Sequence, residues 1–379
     1  MTSKKSQNSN AKANDVYMEI NAPGGGMPDI VAIVVPENKP GTAAPVELRV
    51  GITNNTSSPF PFRHYGGLIP ELVGPDGQVK IAQEPINRQF GTRENDWALV
   101  RVRDSIGISL RAKLSWRNNS LQLQVPTNPE HWQVPITPDN SWTFDALGTG
   151  TYQMRFTYDS PNKEILSSNP KTRQLAELEG IPTRKLVTPF IDLRLVQPVE
   201  HDKSAVEVDG IRFETLVPDR ILNVPQKEPG AKTLVQLAGI RITNNTPNPV
   251  RFSFHNSLIP EIVGADGQIQ RRGYFSDWLS VAQESDFILI MPGKNIKFFL
   301  GAALWWQDND EFLLVIDAGN GGSYTFESIL GNYKICLNYV NSRASVKVDD
   351  PINRKQKQIE NIWTGIVTTP FVEFHVARN

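Results

Sequence analysis

Five histidines, one cysteine, one short acidic run and eight tryptophans are the residues of this 379-residue chain whose chemistry could serve a site. A metal needs several imidazoles, thiolates or carboxylates at a spacing that one element can present, and a nucleophile needs a base beside it. His64, His131, His201, His255 and His375 are dispersed, and none belongs to an HxH or HExxH pair. Cys336 alternates with Ile335 and Leu337. In a strand its thiol therefore faces away from theirs, which reads as a semi-exposed thiol with no base at hand. Asp308-Asn309-Asp310-Glu311 gathers acid as a calcium loop does, but at a hairpin tip where charge of either sign is tolerated. The nucleophile elbow GxSxG, the P-loop and GxGxxG are all missing, and NAPGGGMPD at 21–29 reads as a flexible turn. The expectation is a chain with no catalytic, metal or cofactor site.

Exposed aromatic rings are the other chemistry on offer, because a ring on the wet side of a sheet can anchor a partner or stack on a sugar. Trp305 lies between Leu304 and Trp306, and alternation turns it outward. Trp132 in EHWQVP and Trp97 in NDWALV are the other two candidates. The competing reading packs these rings under loops or between domains.

The 39 Lys and Arg balance 40 Asp and Glu, with no long block of one sign, so the charge footprint of a nucleic-acid or anionic-membrane binder is missing. A single cysteine cannot close an internal disulfide, and nothing here demands an oxidising compartment. The start, MTSKKSQNSNAKAND, is polar and has no apolar core, so it reads as a disordered tail rather than a secretory signal. No apolar run reaches the ~18–20 residues of a membrane span. These points lead to the expectation of a cytoplasmic protein.

The elements that must position any site are written twice. At an offset of 190, Ile52–Gln78 and Ile242–Gln268 share ITNNT, then a proline, a phenylalanine, LIPE, Val-Gly and Asp-Gly-Gln. Farther on, Trp116 meets Trp306; SWTF and GTYQMRFTY meet SYTF and GNYKICLNY; VTPFIDLRL from Val187 meets TTPFVEFHV from Thr368. Tyr152, Met154, Phe156 and Tyr158 alternate with polar residues, the period of two that marks a strand. Asp-Gly at 76–77 and 266–267 and the Asn-Asn-Thr segments are turn signals. About seven short strands per half, with turn chemistry between, predict an all-β fold of two tandem immunoglobulin-like Greek-key β-sandwiches related by internal duplication. Trp116 and Trp306 are expected in their cores. The expected organisation is a polar tail at 1–15, a first sandwich at 16–198, a short linker at 199–205 that limits interdomain freedom, and a second sandwich at 206–379. Two polar excursions, from Ser160 and from Asn341, precede the last strand of each half, and Lys171–Glu179 in the first is expected to form a short helix.

In the second half, TNNTPNPVRFSF, GADGQ, LIMPGKNIKFF and LGNYKICLNY follow one another in an order that resembles the intracellular proteinase inhibitor of bacilli and the bacterial Ig-like modules similar to it. The resemblance covers roughly 100 residues of each half. The first half departs from it where Val102-Arg103 stands opposite Pro292-Gly293. In function the resemblance implies an exposed loop that occupies a proteinase's active site. The residues both halves keep are turn formers and core apolars rather than a shared polar cluster. The expected function is therefore non-enzymatic: binding to another protein, or service as a scaffold or assembly component. Proteinase inhibition and carbohydrate binding are the alternatives.

Overall fold

The computed structural model describes residues 15–21, 28–39, 42–63, 66–85, 97–127, 136–159, 185–226, 228, 230–276, 280–306, 311–319, 321–327, 329–349 and 356–378. Most of the expected tail, His64, His131, Trp132, the excursion at 160–184 with its expected helix, and Asp308–Asp310 lie outside them.

The short apolar runs between prolines and glycines form strands throughout, and the chain is all-β. Among the described residues only Pro138–Asn140 and Glu284–Asp286 are helical, each a single turn. None of them forms a helix long and apolar enough to cross a membrane.

The chain begins with β1 (Val16–Asn21), β2 (Ile30–Val34), β3 (Ala43–Asn54), β4 (Phe60–Arg63) and β5 (Leu68–Val73). Next come β6 (Val79–Lys80), β7 (Trp97–Val100), β8 (Asp104–Arg117) and β9 (Ser120–Pro126). Strands β10 (Ser141–Leu147), β11 (Gly150–Asp159), β12 (Lys185–Val187) and β13 (Ile191–Val196) complete the first half. The second half opens with β14 (Ala205–Val208), β15 (Ile211–Leu216), β16 (Ile221–Val224), β17 (Lys232–Val235) and β18 (Gly239–Asn244). It continues through β19 (Val250–Ser253), β20 (Leu258–Gly264), β21 (Gly273–Ser276), β22 (Phe287–Ile290) and β23 (Asn295–Phe299). Then follow β24 (Ala302–Trp306), β25 (Phe312–Asp317), β26 (Gly322–Glu327) and β27 (Gly331–Asn341). The last four are β28 (Val346–Asp349), β29 (Gln356–Ile359), β30 (Gly365–Thr368) and β31 (Val372–Arg378).

In the first half one antiparallel sheet runs β1-β3-β8-β9-β10, and a second runs β2-β13-β11-β5-β6 with β12 beside the end of β11. Apolar residues alternate inward from both, so Met18, Leu48, Val50 and Leu110 meet Met154, Phe156 and Leu193 in one buried cluster. The second half repeats these ladders. Strand β15 pairs with β18 as β1 does with β3, β27 with β20 and β31 as β11 does with β5 and β13, and β16 with β31 as β2 does with β13. The long pair β3·β8 is split there into β18·β23 and β17·β24.

The repeated residues are explained by one set of hydrogen bonds made twice. Asn54 and Asn244 are fully buried. Each donates Nδ2–H to two carbonyls, Ser58 and Val100 or Asn248 and Ile290, while its Oδ1 accepts from the N–H and hydroxyl of Thr56 or Thr246. The hydroxyls of Tyr158 and Tyr339 accept from the N–H of Arg63 and Ser253 at 3.1 Å. The threonines of the two TPF motifs, Thr188 and Thr369, accept from Phe156 and Leu337 N–H. Gly77 and Gly267 both take φ of 77°, the left-handed conformation that the Asp-Gly turn needs. Even the mismatch is only chemical: Arg103 (φ 58°) and Gly293 (φ 69°) each donate N–H to the buried asparagine's carbonyl at 2.7 Å.

Trp306 is buried as expected, but Trp116 is only half-buried. Each indole N–H needs an acceptor and takes the carbonyl of a proline leaving the β2 or β16 strand, Pro36 at 2.7 Å or Pro225 at 2.8 Å, which holds the ring at the margin of the core. The sequence carries a signal for this contact, VPENKPG at 35–41 against VPQKEPG at 224–230, that the turn motifs overshadow. The second polar excursion is also more structured than its composition suggests. Strands β28 and β29 form a hairpin there, whose Val348 and Ile359 join Ile362 and Phe287 in a small cluster of their own.

The halves are not simply strung on a linker. Strand β2 lies parallel to β13 on one edge and to β30 on the other, with Val31 opposite Ile366 and Ala32 opposite Val367. The inner sheets thereby become one 11-stranded sheet. Alternation along β2 sends Val31, Ile33 and Val35 into the first core and Ala32 and Val34 into the second.

Removing a buried asparagine strands backbone groups without partners, at a cost of about 1–3 kcal/mol for each group. Asn244→Ala is expected to lower stability by about 2 kcal/mol or more, and Asn54→Ala by a similar amount, as measured by urea denaturation.

Candidate functional site

The glutamate of LIPE is a charged residue that both halves keep within a strand, and the two halves solve its charge differently. In the first half Glu71 stands opposite Arg155 and pairs with it at 2.7 Å. In the second half the residue opposite Glu261 is Cys336. Glu261 bonds instead to Arg111 of the first half and to Arg272, and Arg272 reaches Glu47 of the first half at 2.9 Å. The Arg272 guanidinium lies 5.3 Å from the centre of the Tyr324 ring. Glu261 has no exposed surface. Two carboxylates and two guanidiniums thus neutralise one another at the seam between the halves.

Burial acts to raise the Glu47 carboxyl, but Arg272, Arg111 and Arg49 outweigh it and hold it below its ordinary value. Burial likewise opposes the charge of Arg272, and the facing Glu261 and Glu47 carboxylates override it and raise its pKa. The cluster is built as a structural lock: its charges are paired and turned away from solvent.

Cys336 corrects the sequence reading. It does face away from Ile335 and Leu337, yet it is fully buried rather than semi-exposed, because the face it points to is covered by the docked first half. Burial, with the Glu261 charge second, pushes the thiol well above its ordinary pKa. A protonated, covered thiol is inert.

The described histidines have separate neighbours. His255 Nδ1 lies 3.5 Å from Asp286 and His375 Nδ1 lies 2.7 Å from Asn332 Oδ1. Among the described residues no three His, Cys, Asp or Glu are grouped to hold a metal ion.

A cavity of about 700 Å³ opens between the halves beside this seam. Its walls include Val34, Ala44 and Trp116 from one side and Val263, Pro370 and Val372 from the other. Charged side chains rim it, among them the pairs Lys39–Glu37 at 2.6 Å and Lys334–Glu373 at 3.6 Å.

Trp305 does turn outward, with 40% of its surface exposed. It stands on the outer face of β24 between Lys232 of β17 and Leu313 of β25. Two residues along on the same face, Leu234 opposes Ala303 and is 76% exposed. Leu234 went unnoticed in the sequence because KTLVQL has no clean alternation. Trp97 opens β7 opposite Arg63, and its side chain lies outside the described set, as Trp132 does entirely.

No protein family matches the chain, and no curated protein matches it. Among solved structures, the native conformation of E. coli alpha-2-macroglobulin is similar at 10% identity with a TM-score of 0.11, over 95% of this chain and 27% of that one. The chain thus spans about a quarter of that protein's length, and at this score the likeness carries no argument.

Two outcomes follow from the seam. Breaking a buried ion pair by removing one partner costs about 3–5 kcal/mol. Arg272→Met is expected to lower stability by about that much at neutral pH. The folded Glu47 pKa is depressed, so its contribution is complete above the ordinary value of 4.5 and is lost as pH falls through the lowered one. The variant should flatten this acid-side decline in urea midpoints. Second, Cys336 should resist iodoacetamide in the native protein and react fully in denaturant, as read by intact mass.

Proposed function

We propose that the chain is a non-enzymatic protein of two immunoglobulin-like Greek-key sandwiches, descended from one duplicated module, that binds another protein as a scaffold or assembly component. One observation carries this reading. Three pairs of polar side chains common to both halves, Asn54 and Asn244, Tyr158 and Tyr339, Thr188 and Thr369, are each engaged by backbone groups of their own half, and the shared LIPE glutamates are held by arginines. What the duplication retained serves folding, and the copies differ at the buried seam and over the outer surface. There the second half carries Leu234 and Trp305 side by side, a flat apolar area with a cationic neighbour in Lys232. Such a surface suits a protein partner better than a catalytic cleft does.

Affinity capture from the native host's extract tests the reading. The wild-type chain should recover at least one protein in near-stoichiometric amount, and Leu234→Ser with Trp305→Ala should lose it. Equal recovery by both chains, or none by either, overturns the proposal. Release of the captured material by soluble oligosaccharide would favour the carbohydrate alternative.

A further inference from the structure

Strand-for-strand correspondence between the halves leaves an asymmetry at the ends of the 11-stranded sheet. Strand β2 is paired on both edges, by β13 and by β30. Its counterpart β16 pairs, among the described residues, only with β31. Strand β12 is the counterpart of β30, and among the described residues it pairs only with β11. Both mating edges of the contact that joins the halves are therefore present a second time, one in each half, and among the described residues neither is engaged.

The side chains on these edges agree. Ile33 opposes Leu195 as Leu222 opposes Val376, which puts Ile221 in the place of Ala32. Ala32 is buried in the neighbouring half's core, whereas Ile221 is 67% exposed. On the adjoining sheet, Leu234 and Trp305 take the places of Pro45 and Ser115, on the face that in the first half also carries Glu47 and Arg111 to the seam. The opposite face has exposed apolar residues too. Val187 replaces the buried Thr368, and Val79 and Ile81 lie on the segment that corresponds to the one bearing Arg272.

The charges change in step. Gln236 and Gly301 stand where Glu47 and Arg111 do, Ala82 stands where Arg272 does, and Glu71 already has Arg155. A contact between these two free faces buries apolar surface and strands none of the four seam charges.

We propose that a second copy of this chain fills both vacancies: the β12 edge of one molecule docks in parallel on the β16 edge of the next, as β30 docks on β2. The contact is heterologous and propagates head to tail. It rests on the duplication reading and names the partner as the chain itself.

Sedimentation velocity on the full chain over about 1–100 μM, the range of moderate affinities, should show mass rising with concentration beyond a dimer. Ile221→Asp with Leu234→Asp blocks one face, and Val187→Asp with Ile81→Asp blocks the other. Each variant alone should stay monomeric, and an equimolar mixture should stop at a one-to-one dimer, because each supplies the face the other lacks. Lys185→Cys and Arg220→Cys occupy the places of Ile366 and Val31, which are paired across the seam. Neighbouring strands lie ~4.8 Å apart, within disulfide reach. A mixture of the two cysteine chains should therefore cross-link between molecules, with buried Cys336 silent. A wild-type chain that is monomeric throughout, or single-face variants that still self-associate, overturns the proposal. A monomeric chain that still captures a different protein overturns only this contact and leaves the binding reading intact.

Discussion

A strand with neighbours on both edges and cores on both faces organises this molecule. Strand β2 receives hydrogen bonds from β13 and from β30, and its residues alternate between two interiors, Val31 and Ile33 toward one and Ala32 and Val34 toward the other. Because a shift of one residue would exchange these two sets, the register of β2 is specified twice over. The four-charge cluster of Glu47, Arg111, Glu261 and Arg272 fixes the same register from the side. Buried ion pairs rarely add net stability against apolar packing, but a misplaced one is costly, so such a cluster selects one arrangement and penalises its neighbours.

What the sequence discloses and what it hides follow from the range of the interactions. The Asn-Asn-Thr turns, the Asp-Gly turns and the alternation of YQMRFTY are local, and each appears in the structure with the conformation its residues prefer. The seam is not local. Arg272 and Glu47 lie 225 residues apart, and nothing in the composition of either segment marks them as partners. Cys336 shows the same limit from another side. Alternation identifies which way its thiol points, but whether that direction leads to water depends on a half of the chain folded from distant residues. Trp305 is the opposite case, since no described strand covers its face and local alternation suffices.

The two halves share one ladder pattern and differ in duty. The pair Arg103 and Gly293 shows how firmly the backbone is held: an arginine accepts a left-handed conformation that glycine adopts freely, because the N–H at that position must reach the buried asparagine's carbonyl. The LIPE glutamates show where the halves differ. With Cys336 in the place of Arg155, the buried Glu261 takes its cations from elsewhere, one of them in the other half. A difference in one cross-strand partner thus accompanies the ion pairing that joins the halves.

The position of β2 in the chain bears on how the protein is made. Its second neighbour, β30, is encoded near the other extreme of the described sequence. While the ribosome is still translating the intervening segments, β2 can complete its own half but must carry a bare edge, with Ala32 and Val34 facing no finished interior. An early open edge is the kind of template on which nascent chains stick to one another. Its brevity, two paired residues at the seam, keeps that hazard small during synthesis.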